Sequence, residues 1–197
     1  MLMFIKCIIV LGIIITLLTS VVMYKQKTSE AARNLLITSM CCCVAMVAYF
    51  FELSCSRLED GMLAVKFGYI GKAYGMFFGV QFIVSYLKRN MPQWFINGIF
   101  WVETILLAFI FTNEYHHLYY KDCNFVFNGY FYCIEFDRNV LYWVFMATMA
   151  LNGFLYFYFL CSSVIITYGK ERKKTYIAYI IRVNSINVSF DIFNWCF

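Results

Sequence analysis

The stretch NLLITSMCCCVAMVAYFFELSC, residues 34–55, runs between Arg33 and Arg57 with Glu52 as its single charge. A helix needs about 20 mostly apolar residues to cross the hydrocarbon of a bilayer. The stretch therefore reads as a membrane span. Similar runs lie on both sides of it: Cys7–Tyr24 before, then Leu63–Leu87, Trp94–Thr112 and Val140–Tyr168 after. The last is longer than one crossing needs and can tilt or project past the membrane face. A sixth run opens at Tyr176 with IAYII and then deteriorates. Its Arg182, Asn184, Asn187, Asp191 and Asn194 are each costly or awkward in hydrocarbon. The expectation is an all-α, polytopic transmembrane helical bundle, with five clear spans and an ill-formed sixth. It forms one domain over residues 1–197, with an atypical tail at 183–197.

Composition agrees. Of 197 residues, 63% are hydrophobic, 21% aromatic and only 14% charged, against about 25% charged in ordinary soluble domains. A soluble globule of this size could not hide so much apolar surface. A soluble enzyme, a disordered linker and a nucleic-acid-binding domain are excluded. The net charge of +5 does not point to nucleic acid, because the basic residues sit between apolar runs. The partner implied is the lipid bilayer. The first run is long, and Thr19-Ser20-Val21 is a poor cleavage site, so it reads as an uncleaved helix rather than a signal peptide.

Orientation follows from Lys and Arg in the short loops. Lys25, Lys27 and Arg33 come after the first span, Lys88 and Arg89 after the third, and Lys170, Arg172, Lys173 and Lys174 after the fifth. The opposite loops hold Arg57, Lys121 and Arg138, with Lys6 at the start, and most loop acids: Glu59, Asp60, Glu114, Asp122, Glu135 and Asp137. The N-terminus is expected outside and the KERKK loop inside, in a multi-pass protein of the cell membrane.

The outer loop Asn113–Asn139 is the only sizeable piece between spans. Its NFVFNGYFYCIEF segment alternates in part, and Asn128-Gly129 signals a hairpin. A two-stranded flap is expected there. Cys123 and Cys133 flank the turn, and strand pairing could bring them within disulfide range, with Cys55 as another partner. Cys41, Cys42 and Cys43 lie inside the second span and read as small apolar fillers. The pair His116-His117 lacks Cys or acid partners at ligand spacing, so no metal is expected. It reads as a polar cap at a helix end, with pH sensing as the sharper role. Trp94, Trp143, Tyr119 and Tyr120 read as interface anchors. Gly71-x-x-x-Gly75-x-x-x-Gly79 makes a stripe of small residues on the third span, which suits close helix packing inside the chain or a homodimer seam.

Charges within spans tend to mark function or paired structure. Lys72 and Glu103 lie at similar depth on antiparallel neighbours, so a Lys72–Glu103 pair is expected. With Glu52, Lys66 and Asn152 they make either an interhelical polar network or a polar cavity open to the outside for a small ligand. No phosphate-binding loop occurs. No paired carboxylates or His cluster converge at one depth, so neither catalysis nor a cofactor is expected.

One region carries a family pattern. Arg33 begins the helix that ends in YFFEL, and SRLEDGMLAVKFGYIGKAYGMFFGVQFIVSYL occupies residues 56–87. Leu58-Glu59, Ala64, Lys66, Tyr69 and Gly71 come in order, then Tyr86, Lys88-Arg89 and Pro92-Gln93-Trp94. This resembles the bacterial seven-transmembrane sensor domain at the N-terminus of many histidine kinases. Closely similar domains precede GGDEF diguanylate cyclases. The segment TNEYHHLYY, residues 112–120, also resembles the family's polar outer entry. The resemblance covers roughly residues 28–175. It implies a sensory input domain of a two-component system in the bacterial cytoplasmic membrane. An unknown small ligand at the outer face would be its stimulus.

The chain also departs from that pattern. The family carries two further helices after the fifth, then a coiled coil and a catalytic domain. The chain stops at Phe197 and holds no phosphoacceptor His box, no glycine-rich ATP lid and no GGDEF motif. The expectation is a truncated input half without its output domain, and not an enzyme. The competing expectation is a stand-alone small multispan protein, either a transporter or a partner subunit. Transporters favour inverted repeats and Gly/Pro-broken helices, whereas Pro92 here sits in a loop and no repeat is visible.

Overall fold

The computed structural model describes residues 2–25, 29–127, 129 and 132–163. Its elements are α1 (Leu2–Lys25), α2 (Glu30–Glu52), α3 (Leu58–Tyr86), α4 (Gln93–Phe111) and the single turn α5 (Asn113–His116). Strands β1 (Tyr120–Phe127) and β2 (Tyr132–Arg138) come next, then helix α6 (Val140–Ser163). The chain through Tyr156 is one compact unit, and residues from Phe157 onward belong to a second. The sixth run, the KERKK loop and the tail lie outside the described residues.

The helices start and stop for local reasons. Ser29 caps α2, its hydroxyl accepting from Ala32 N at 3.1 Å, and Glu30 sits in the first turn, where the helix dipole favours an acid. Pro92, with its fixed φ of −60°, opens α4.

Among the described residues, α1, α2, α4 and α6 are long and apolar enough to cross a membrane. That is four helices rather than the five expected spans, and α3 makes the difference. It is the longest at 29 residues, but its sequence holds Glu59, Asp60, Lys66, Lys72 and five glycines. Fourteen of its residues are buried, against Ser20 alone in α1. A helix enclosed by other helices is shaped by close packing, not by contact with hydrocarbon. The outer helices show the reverse pattern, with Phe4, Leu18, Trp101 and Phe154 all more than half exposed.

The glycine stripe is where α2 comes closest to α3. A Cβ built on Gly71 would lie 2.5 Å from Cys41 O and 2.6 Å from Ala45 N. Gly68, Gly75 and Gly79 face Ala48, Cys41 and Thr38 of the same helix. The stripe is thus packed against α2 within the chain. At the far end of the same interface, Asn34 Nδ2 donates to Ser85 Oγ at 3.3 Å. Such interhelical bonds add only about 0.6 kcal/mol in a membrane, so backbone approach carries this contact. On its other faces α3 meets α4 through Tyr74, Phe77 and Phe100, with ring centroids 5.6–5.7 Å apart. It meets α6 through Gly153 against Met76 and through Phe145 against Tyr69.

The expected hairpin is present, with a different turn. Phe127 pairs with Tyr132, whereas a two-residue Asn128-Gly129 turn would pair it with Tyr130. Gly129, between the two strands, is at φ 88°, a backbone conformation glycine adopts without strain. Two aromatic stacks brace the ribbon, Phe125 on Tyr132 at 4.8 Å and Tyr120 on Phe136 at 4.2 Å. Ile134 lies against Gly61, which seats the hairpin on the first turn of α3.

Candidate functional site

The hairpin end of the bundle gathers the start of α3, the end of α4, α5 and the two strands. Three interactions hold it together. Lys66 is buried on α3, and its Nζ donates to Glu114 Oε1 at 2.6 Å and to Phe111 O at 3.3 Å. Asn113 is buried beside it. Its Oδ1 accepts from Tyr119 N at 2.8 Å and Tyr120 N at 3.1 Å, while its Nδ2 donates to Tyr120 O at 3.0 Å. Asn139 closes the other end of the loop, donating from Nδ2 to His117 O at 2.9 Å and from its backbone N–H to Tyr119 O at 3.0 Å.

Beneath this lies an aromatic cluster. Tyr119 and Tyr120 are buried at 0% and 2% exposure, packed on Tyr69 and Phe145. The Tyr69 and Tyr120 hydroxyls share a hydrogen bond. Burial pushes the Tyr120 phenol well above the usual range, so it stays neutral. This corrects the expectation of interface anchors for Tyr119 and Tyr120. Trp94 and Trp143, at 75% and 60% exposure, remain in positions that suit that role. A Tyr-Tyr pair has the same composition in either place, and only the Asn113 clasp two residues past the end of α4 turns it inward.

A cavity of about 360 Å³ opens beside the clasp, lined by Glu59, Met62, Lys66, Glu114, Lys121 and Asp122 among others. Its charges are mixed. Lys66 is fixed from below by a carbonyl, whereas Glu114 is 70% exposed on its side chain. The hydrogen bond and charge of Lys66 hold the Glu114 carboxyl below the ordinary range, so it is ionised at neutral pH. A polar solute could exchange with Glu114 at the lysine without unseating Lys66 from the bundle. A second, largely apolar groove of about 1110 Å³ runs between α1, α2 and α3.

The expected intramembrane pair is not formed. Lys72 is exposed, with Nζ 5.1 Å over the Tyr69 ring. Glu103 is 0% exposed and bonds instead to Asn152 Nδ2 on α6. Equal depth on neighbouring helices did not suffice, because the two side chains leave their helices on different faces. The five residues expected to line one cavity are therefore divided. Glu103 and Asn152 come together, Lys66 joins the hairpin end, and exposed Lys72 lies near enough to half-buried Glu52, at the end of α2, for their charges to interact.

Cys123 and Cys133 are not opposite each other. The register sets Cys123 across from Phe136 and Cys133 across from Val126, three positions apart. A two-residue Asn128-Gly129 turn would set Cys123 across from Ile134, next to Cys133, and the observed register carries it two residues further. Cys123 carries a free thiol, and burial with the nearby Asp122 pushes its pKa up. Cys55 is also a free thiol.

His116 does act as a cap. Its Nδ1 accepts from Leu118 N at 3.0 Å, so its Nε2 carries the proton and faces Thr112 Oγ1 at 3.1 Å. His117 adopts a left-handed conformation, φ 51°, to end the turn. Among the described residues, no three His, Cys, Asp or Glu side chains converge as metal ligands would.

Residues 7–186 match the model of the N-terminal 7TM region of histidine kinase. The match reaches back into α1, beyond the stretch in which the family pattern was legible. No curated protein and no solved structure matches the chain.

Proposed function

Because the chain belongs to the family of N-terminal seven-transmembrane regions of histidine kinases, we propose that it serves as the sensory input part of a signal-transduction protein, with its hairpin end outside a bacterial cytoplasmic membrane. The match over residues 7–186 carries this reading. Charge placement supports the orientation. In sequence, the loops after the first, third and fifth apolar runs carry nine Lys and Arg, against Lys6, Arg57, Lys121 and Arg138 on the opposite side.

The stimulus is a small polar solute taken at the cavity beside Lys66. A solute that replaces Glu114 on Lys66 would release α5 and bias how α3 packs. Since α3 touches α2, α4 and α6, one shift there reaches the whole bundle. This is a population shift between packings, in which binding energy differs between two states. The residues themselves do no catalysis on this reading. Signal would leave through α6 toward the cytoplasmic face.

Reporter insertions test the orientation. Alkaline phosphatase placed between Asn128 and Gly129 is expected to be active, because it folds only outside. Placed after Arg89 it is expected to be inactive. The reverse pattern would turn the bundle over and remove the outer-face sensing site.

A further inference from the structure

Glu103 is the only charged residue of α4 and the eleventh of its nineteen residues. It is 0% exposed, and Asn152 opposite it on α6 is 1% exposed. One hydrogen bond joins them, from Asn152 Nδ2 to Glu103 Oε1. The remaining two polar atoms, Glu103 Oε2 and Asn152 Oδ1, are buried with no partner among the described residues. Neither residue lines the two cavities described above.

Two lone-pair oxygens left over on facing groups state a simple problem. As a carboxylate, Glu103 would keep a full charge in a fully buried site against one amide N–H. Burying an unpaired carboxylate is among the largest penalties a bundle can carry. No cation answers it among the described residues. From Val140 to Ser163, α6 carries no Asp, Glu, Lys, Arg or His, and its ionisable groups there are tyrosines and Cys161. On α3, Lys72 points away to Tyr69, and the Tyr74 hydroxyl is taken by Thr104 Oγ1 at 3.1 Å. Removing the charge solves both halves at once. A proton on Oε2 turns that oxygen into a donor, and Asn152 Oδ1 is an acceptor on the same amide that already bonds Oε1. A carboxylic acid and a primary amide then complete two reciprocal hydrogen bonds, O–H to O=C and N–H to O=C.

We propose that Glu103 is an intramembrane proton-binding site, protonated in the folded bundle and closed by Asn152 into a two-bond clasp between α4 and α6. The ligand is a proton. Its loss would leave two acceptors face to face and drive α6 from α4, so the clasp would report proton access to the bundle interior. The inference does not depend on what the hairpin end senses.

Infrared difference spectra of the full chain in lipid nanodiscs test it. Wild type minus Glu103→Gln at neutral pH is expected to show the C=O stretch of a protonated carboxylic acid, shifting on transfer to D₂O. Asn152→Leu is expected to move that band upward, as the acid loses its amide partner. Glu103→Gln keeps a neutral two-bond pair, so its melting temperature is expected to stay nearer wild type than that of Asn152→Leu. If Glu103→Gln does not fold, Glu103→Asp takes its place and is expected to displace the band. A difference spectrum showing only lost carboxylate stretches would overturn the proposal. So would an acid band that none of these substitutions moves.

Discussion

Replacing Gly71 with alanine is expected to destabilise the bundle by about 3 kcal/mol, the upper part of the range for overpacking a tight interior. The new Cβ would meet Cys41 O at 2.5 Å, Ala45 N at 2.6 Å and Ala45 Cβ at 2.8 Å. Two of the three atoms are backbone, so no side-chain rotation relieves the clash and α2 must move away. Two neighbours on the same stripe provide the control. At Gly75 the nearest atom is Cys41 Cβ at 3.5 Å, and at Gly79 it is Thr38 Cγ2 at 3.9 Å, both ordinary contact distances. Alanine at either position is expected to be nearly neutral. Unfolding in mixed micelles, followed by helical circular dichroism, checks the contrast. Equal losses at Gly71 and Gly75 would mean that α2 and α3 do not meet as described.

Asn113 is the second sensitive position. Its side chain satisfies Tyr119 N, Tyr120 N and Tyr120 O, all in a buried setting. An unsatisfied buried backbone group costs about 1–3 kcal/mol. Alanine at 113 orphans three of them, so a loss on the order of 3 kcal/mol or more is expected even after some relaxation. Asp retains the two acceptor contacts and loses only the donor to Tyr120 O, so Asn113→Asp is expected to fall between alanine and wild type. The readout is hydrogen exchange at residues 119 and 120 together with thermal stability. Unchanged protection at both amides in Asn113→Ala would show that the clasp is not what turns the tyrosines inward.

Much of this architecture was legible because hydrocarbon imposes a simple rule. Runs of about 20 apolar residues must be helices; α1, α2 and α4 begin and end within a few residues of where hydropathy alone places them, and α6 begins where it does. The glycine stripe and the hairpin were legible for equally local reasons, spacing in one case and turn chemistry in the other. The misreadings share a cause. The partners of Lys66, Glu103 and Cys123 depend on helix rotation and strand register. The observed register moves Cys123 from one position out of line with Cys133 to three. Depth along a helix is read from counting, whereas facing is set by packing. Asn113 gave no signal at all, because a lone asparagine after a span looks like any loop residue until its three backbone partners are seen.

The most direct test of a sensory input role asks whether the hairpin end and the bundle interior are coupled. Hydrogen exchange by mass spectrometry, on wild type and Lys66→Ala in nanodiscs, gives the answer. Loss of the Lys66–Glu114 pair and of the bond to Phe111 O is expected to speed exchange across residues 111–120. It is also expected to alter exchange at a distance, around Thr104 on α4 and Asn152 on α6, where both helices pack with α3. Faster exchange confined to residues 111–120, with α4 and α6 unchanged, would contradict a relay through α3 and leave the hairpin end as a lid with no route inward.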